Sequence, residues 1–444
     1  MDHKEHWAML QQVVADILTT ATNKGATEVE AGASINVGLS CTVRLGEIET
    51  IEFNRDKSIG VTVYHGKRKG STSSSDIDMQ SILQVVDMAG RIAEYTEEDP
   101  YNGLAFPKHL AKNIPALDLY HPADVQPELA IEIAKNCEMV AMAVDKRINN
   151  SEGASFSANV SYRVYGNTNG FLAGYPSSSY SLSCTVIGQE GNSMQRDFDY
   201  TVARCMQDLN SYQNIGQSAA NRTIARLGSR KLKTCKAPVL FYPSVAKSLL
   251  ASFVSAISGT NLYRKSSFLL DFLHKKVFAD FINIKEEPLL PKALGSTPFD
   301  NEGVATVPKT IVKNGVLQGY VLNSYSARKL GLETTGNAGG VHNLILEAAG
   351  NNSFNELLKI MGTGLVAMEL MGHGVNIVTG DYSRGVAGFW VENGVIQYPV
   401  EEVTIASNLK DMFLRVLAVG NDLDFRSNII TGSILIEEMT IAGN

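Results

Sequence analysis

Apolar residues recur at helical spacing near the start of the chain. Trp7, Leu10, Val13, Val14, Ile17 and Leu18 share one face of residues 5–24, and Gly25 supplies a stop. From 28 to 63 the period falls to two. Val29, Ala31, Ala33, Ile35 and Val37 alternate in one run and Ile59, Val61 and Val63 in another, which predicts strands parted at turn residues such as Gly46 and Asn54. The serines at 71–75 precede a second helix that runs to about Tyr95, with Asp76 or Asp78 as its cap. Residues 96–127, rich in proline and acidic side chains, read as a connector. A helix over 127–146, strands over 155–165 and 180–188, and a helix over 211–227 then echo the first block without a strict sequence repeat.

The basic run Arg222, Arg226, Arg230, Lys231, Lys233 and Lys236 marks a boundary, and strands dominate beyond it. Asn314-Gly315 and Asn393-Gly394 predict hairpins over 310–325 and 387–399, because Asn-Gly favours the positive backbone dihedrals of a tight hairpin turn. Helices are few: 243–258, 354–361 and 409–417. The expected class is α+β, with an N-terminal half of helices on a mostly antiparallel sheet and a C-terminal half that is predominantly β. The expected domains are 1–226, divisible at about 115, and 227–444.

A length of 444 residues fits two or three domains. Hydrophobic residues make up 44% and charged residues 19%, ordinary for a globular chain. The net charge of −7 weighs against nucleic acid as a main partner. Cys41, Cys137, Cys184, Cys205 and Cys235 are scattered without a C-x-x-C pair, which suits free thiols in a reducing compartment. The start, M-D-H-K-E-H-W, is charged, and no apolar run approaches about 18 residues. The cytoplasm is the expected location and no membrane partner is expected.

Candidate chemistry is thin. A zinc peptidase commonly carries two histidines one helical turn apart with a glutamate between them. None of the eight histidines has that arrangement. His3 and His6 lie on a polar terminus and read as a solvated end. Glu369 and His373 are one turn apart, but Gly362, Gly364, Gly372 and Gly374 favour a strand or turn with a surface histidine over a helix. His342, after Gly339-Gly340, either lines a pocket or is a hydrogen-bonded structural residue. The S-x-x-K spacing recurs at Ser244/Lys247, Ser326/Lys329 and Ser407/Lys410, too cheaply to define a serine hydrolase without further motifs. The stretch 362–367 lacks the flanks of a dinucleotide fingerprint. The basic run reads as a solvated face, since no aromatic residues interleave its charges.

Longer motifs are more specific. S-T-P-F-D-N-E-G-V (296–304), N-S-Y-S-A-R-K-L-G-L (323–332), T-G-N-A-G-G (335–340), E-L-M-G-H-G (369–374) and G-D-Y-S-R-G-V-A-G-F-W-V-E-N-G-V-I-Q-Y-P-V (380–400) resemble the PmbA/TldE half of the TldD/PmbA metalloprotease family, also called the modulator of DNA gyrase family. The resemblance implies a peptidase-like C-terminal domain. It also implies an H-E-x-x-x-H helix and a later cysteine that bind zinc in TldD-type members, the glutamate serving as general base. In this sequence the histidine positions fall at Ala251 and Ala256, the glutamate at Ser252, and the cysteine at or beside Thr431. Methyl groups bind no metal and a lone hydroxyl binds zinc poorly.

The implied reading is a metal-free subunit without catalytic residues of its own. Zinc is expected in a TldD-type partner, and extended peptides are the expected substrates. Arg264, Asp300, Glu302, His342 and His373 are candidates for a cavity wall, with turn or ion-pair roles as the alternative for the first three. A non-catalytic regulator, on its own or as a homodimer, is the alternative function.

Overall fold

The computed structural model describes residues 3–348 and 350–443, the side chains of residues 3 and 4 excepted. A first block runs α1 (His3–Asn23), β1 (Glu28–Arg44), β2 (Glu47–His65), β3 (Arg68–Ser74) and α2 (Met79–Tyr95). A second runs α3 (Pro127–Ala143), β4 (Ile148–Asn167), β5 (Phe171–Glu190), β6 (Ser193–Ala203) and α4 (Tyr212–Ala225). The same α-β-β-β-α order occurs in both. Their strands join in one antiparallel six-stranded sheet, β3-β2-β1-β4-β5-β6, with β1 against β4 at its centre.

Alternation explains how four helices share one face. β1 buries Val29, Ala31, Ala33 and Ile35, then Leu39, Cys41 and Val43, all on the same side of the pleat. The first group packs with α1 and α2, the second with α3 and α4, so a single strand floors two cores. Local chemistry sets the helix ends. Asp78 accepts the Ser81 N–H at 2.7 Å, Ser211 accepts that of Asn214 at 3.2 Å, and Gly25 takes φ 92° after α1.

Some expectations fail for tertiary reasons. Asn54 is no turn: it sits inside β2 opposite Gly38, and the chain reverses at Leu45-Gly46 instead. His6 is buried and stacks on the Tyr162 ring at 5.0 Å, because it extends the apolar face of α1 one turn ahead of Leu10. The His3 side chain lies outside the described residues. β3 pairs only with residues 59–65 of β2. The outer edge of 47–58 pairs with no strand among the described residues, and Ile48, Ile51 and Phe53 there are exposed.

The C-terminal half is strand-dominated. It contains β7 (Cys235–Phe241), α5 (Pro243–Ala256), α6 (Gly259–Tyr263), β8 (Ile284–Glu286), β9 (Lys309–Lys313), β10 (Val316–Leu317), α7 (Ser324–Leu330) and β11 (Leu344–Leu346). These are followed by α8 (Phe354–Met361), β12 (Gly364–Met371), β13 (Asp381–Glu392), β14 (Val395–Asn408), α9 (Leu409–Leu414), β15 (Val416–Val419), β16 (Ile429–Ile430) and β17 (Ile434–Ala442). Strands β14-β13-β12-β7-β17-β15 form one sheet, and a further β14–β17 pairing closes it on itself. The smaller sheet β10-β9-β8-β11-β16 shares the same core. At its centre Phe413 stacks on Phe278 at 4.6 Å and meets Phe253 of α5 edge-on at 6.0 Å. Both Asn-Gly hairpins form, with φ 49° and 74° at Asn314-Gly315 and 51° and 74° at Asn393-Gly394. The protein is therefore α+β, as its patterning indicates.

The connector 96–127 is not loose. Arg328 of α7 donates to the carbonyls of Tyr101, Gly103 and Leu104 at 2.6, 2.7 and 3.0 Å, and Lys329 pairs with Asp99 at 2.9 Å. The 323–332 motif is thus a clasp on the connector. Among the described residues no helix is long and apolar enough to cross a membrane.

Candidate functional site

α5 is amphipathic in an unusual way. Its buried side carries Ala246, Leu249, Leu250, Phe253 and Ala256, at the three-to-four spacing of a core-facing helix. Its open side carries small residues, the hydroxyls of Ser244, Ser248 and Ser252 and the methyl of Ala251. Ser244, Lys247 and Ser248 line a cavity of about 400 Å³ against β6, α4 and β12.

Charge pairs across the two halves shape that cavity. Arg226 of α4 reaches Glu369 of β12 at 2.6 Å and Asp197 of β6 at 3.4 Å, and Arg222 reaches Asp197 at 3.2 Å. Arg426 donates to Asp199 at 2.8 Å and to the Tyr200 carbonyl at 2.9 Å, and lies over the Tyr200 ring at 4.5 Å. It also forks onto Asp424 at 2.8 and 3.0 Å. Burial alone would raise the Asp424 carboxyl, but the hydrogen bonds and charge of Arg426 outweigh it and hold the group below its ordinary value.

The basic run divides: Arg222 and Arg226 turn into the cleft, whereas Arg230, Lys231, Lys233 and Lys236 are exposed, as the solvated-face reading expects. Besides Arg222 and Arg226, Lys231 pairs with Glu402 at 2.5 Å, Lys236 pairs with Glu438 at 3.3 Å, and Arg230 covers the Tyr398 ring at 4.8 Å. The partners of Arg222 and Arg226, Asp197 and Glu369, are distant in sequence, so the inward turn of these two side chains left no local signal. Arg226→Ala would strand two carboxylates, one of them only 6% exposed. It is expected to cost about 2 kcal/mol, Arg222 retaining part of the Asp197 pairing. Arg230→Ala is expected to cost about 0.5 kcal/mol. Denaturant midpoints for the two variants check that ordering.

The sequence-named residues scatter. Ala251 is on the open face of α5, whereas Ala256 is fully buried at its last turn. Five residues place them roughly 140° apart around the helix. Thr431 is buried and donates to the Gly432 carbonyl at 2.9 Å. Two methyls and a hydroxyl are a donor set that does not fit zinc. Among the described residues no group of three or more His, Cys, Asp or Glu side chains could hold a metal ion.

Asp300 is a buried turn residue that accepts N–H bonds from Glu302, Val304 and Ala338 at 2.8, 3.0 and 2.9 Å. Burial, then the nearby Glu302 charge, pushes its carboxyl up to about 7 against those three bonds. Glu302 accepts the Ser324 N–H of α7 at 2.9 Å. Arg264 is exposed over the Tyr263 ring, and His373 is exposed just beyond β12. Glu369 lies in β12, so the E-L-M-G-H-G motif is strand and turn. Lys247 points its ammonium at the Tyr200 hydroxyl at 3.5 Å, a different partner from the serine that S-x-x-K chemistry requires.

His342 lines a second cavity, of about 540 Å³, between β4, β5 and the loops at 294–301 and 339–342. Burial, then the positive charges of Lys309 and Arg163, push its imidazole down to about 4. Behind it the fully buried Glu286 meets Lys309 at 3.1 Å and accepts the His342 N–H at 2.5 Å. Sequence reasoning missed Arg426 and Tyr200. The D-F-R at 424–426 carries the local half of the Arg426 fork, but nothing in it points to β6.

A twofold α-β-β-β-α sheet, a closed C-terminal sheet and a cleft along α5 between them define the class, and the sequence comparison agrees with it: the chain belongs to the PmbA/TldD metallopeptidase family. It matches the PmbA/TldA metallopeptidase domain 1 over residues 29–93, the central domain over 120–227 and the C-terminal domain over 234–443. It is 51% identical to Metalloprotease PmbA of Escherichia coli O157:H7, over 98% of this chain and 96% of that one. It is 47% identical to the Metalloprotease PmbA homolog of Haemophilus influenzae, over the same shares. A crystal structure titled a putative modulator of DNA gyrase, from Bacteroides thetaiotaomicron, superposes with a TM-score of 0.93 at 28% identity, covering 98% of this chain and 99% of that one. Membership of a metallopeptidase family supports a peptidase-type function.

Proposed function

We propose that this chain is the metal-free subunit of a heteromeric zinc metallopeptidase of the TldD–PmbA type, acting on extended or unfolded peptides in the cytoplasm. The observation that carries the reading is the open face of α5. Where the resemblance puts an imidazole and a carboxylate, that face carries the methyl of Ala251 and the hydroxyl of Ser252. A TldD-type partner supplies the zinc and the general base. This chain contributes α5 and the neighbouring charged cleft to the wall of a chamber, and residues 227–444 form its peptidase-like domain. Arg222 and Arg226 are committed to carboxylates in the cleft and the net charge is −7, which favours this reading over DNA binding.

Peptide hydrolysis should be measured for this chain, for a TldD-type partner and for the mixture, with metal content determined on each. The expected result is no zinc and no hydrolysis in the isolated chain, and chelator-sensitive activity in the mixture above that of the partner alone. Stoichiometric zinc in the isolated chain, or a mixture no more active than the partner, would overturn the proposal.

A further inference from the structure

We propose that the cavity beside His342 binds an oxyanion, a carboxylate or phosphate group, through Arg163 of β4 and Arg204 just beyond β6. No acidic side chain lines it. Among the described residues no carboxylate pairs with either arginine. Buried and half-buried guanidinium groups ordinarily have an anionic partner, because an uncompensated charge away from water is costly.

Arg204 is held rigidly, donating to the carbonyls of Ser178 at 3.2 Å and Leu294 at 2.7 Å. Its Nε is buried and meets no acceptor among the described residues. Arg163 is oriented by a 2.7 Å bond to the amide oxygen of Asn301. A volume of about 540 Å³ admits a small anion or the end of a peptide. Two of the family-like motifs converge here: Ser296, Thr297 and Asn301 from one, Gly339 from the other. The cavity is separate from the α5 cleft, and the inference does not depend on the peptidase reading.

Calorimetric titration of the full chain tests it, with inorganic phosphate, a short peptide ending in a free carboxylate, and the same peptide amidated. Saturable binding of phosphate or of the free-acid peptide is expected, with the amidated peptide at least tenfold weaker than its free-acid form. Phosphate alone binding would identify a phosphate-ester ligand. Binding by the free-acid peptide would identify a chain terminus. Either supports the site. Arg163→Gln keeps a donor for Asn301 but removes the charge, and is expected to weaken binding about tenfold. Arg204→Lys keeps the charge and loses the planar fork, and is expected to weaken it similarly. Circular dichroism establishes that both variants are folded. No saturable binding by either anion, or binding unchanged in both variants, would overturn the inference.

Discussion

Phe299→Ala is expected to destabilise the protein by about 3–5 kcal/mol, the range for emptying a buried phenylalanine site. Phe299 is 1% exposed. Its ring meets Phe171 edge-on at 5.0 Å and Tyr175 at 5.6 Å, both on β5. The same small cluster holds Ala105 and Leu110 of the connector and Val304 of the C-terminal half. One side chain therefore ties three separate stretches of chain. A Cβ at Gly303, where φ is 75°, would already stand 2.9 Å from the Phe171 ring. Urea unfolding should show a lower midpoint and, as the halves uncouple, a shallower transition. A change of less than about 1 kcal/mol would show that the cluster is not what joins them.

Asp300→Ala is expected to be nearly as costly, about 3 kcal/mol or more, because it strands the three N–H groups of Glu302, Val304 and Ala338 in a buried turn. Asp300→Asn should cost less, about 1–2 kcal/mol, since only the Ala338 N–H then faces a donor. The pH dependence has a definite sign. The folded carboxyl titrates at about 7 against an ordinary 3.8, so the folded state holds this proton more tightly than the unfolded chain. That contribution is fully present below the ordinary value and is lost as pH rises through about 7. The stability gap between the native protein and Asp300→Asn should therefore narrow from pH 5 to pH 8. His342 titrates in the opposite sense but is common to both proteins and cancels in the difference. A gap that widens with pH would contradict the assignment.

Most elements were legible because their signals are local. Period-two alternation marked β1 and the end of β2, the pair Asp76 and Asp78 held the cap of the second helix, which is Asp78, and two Asn-Gly pairs marked hairpins. What escaped was set by distant partners. Asn54 carries a turn residue's propensity, yet the ladder to Gly38 holds it in a strand. His6 looked solvated until α1 laid it against Tyr162. Arg222 and Arg226 looked free because Asp197 and Glu369 lie far away in sequence. The residue types at 251, 252, 256 and 431 could be read from the sequence and carry the proposed function. The cleft itself was not legible, since β6, α4, α5 and Arg426 meet only in three dimensions, whereas the turn role offered as the alternative for Asp300 is the one it has.

Both outer strands of the N-terminal sheet are shorter than the strands they flank. β6 covers residues 180–190 of β5 and β3 covers 59–65 of β2, so twelve residues of β2, 47–58, present amides and carbonyls with no neighbouring strand among the described residues. Such a selvage is a template for any extended chain of suitable sequence, and Phe53, 69% exposed, gives an arriving strand something apolar to cover. The protein purified alone should therefore tend to stitch to its own copies along this hem, and should do so less when Phe53 is made lysine.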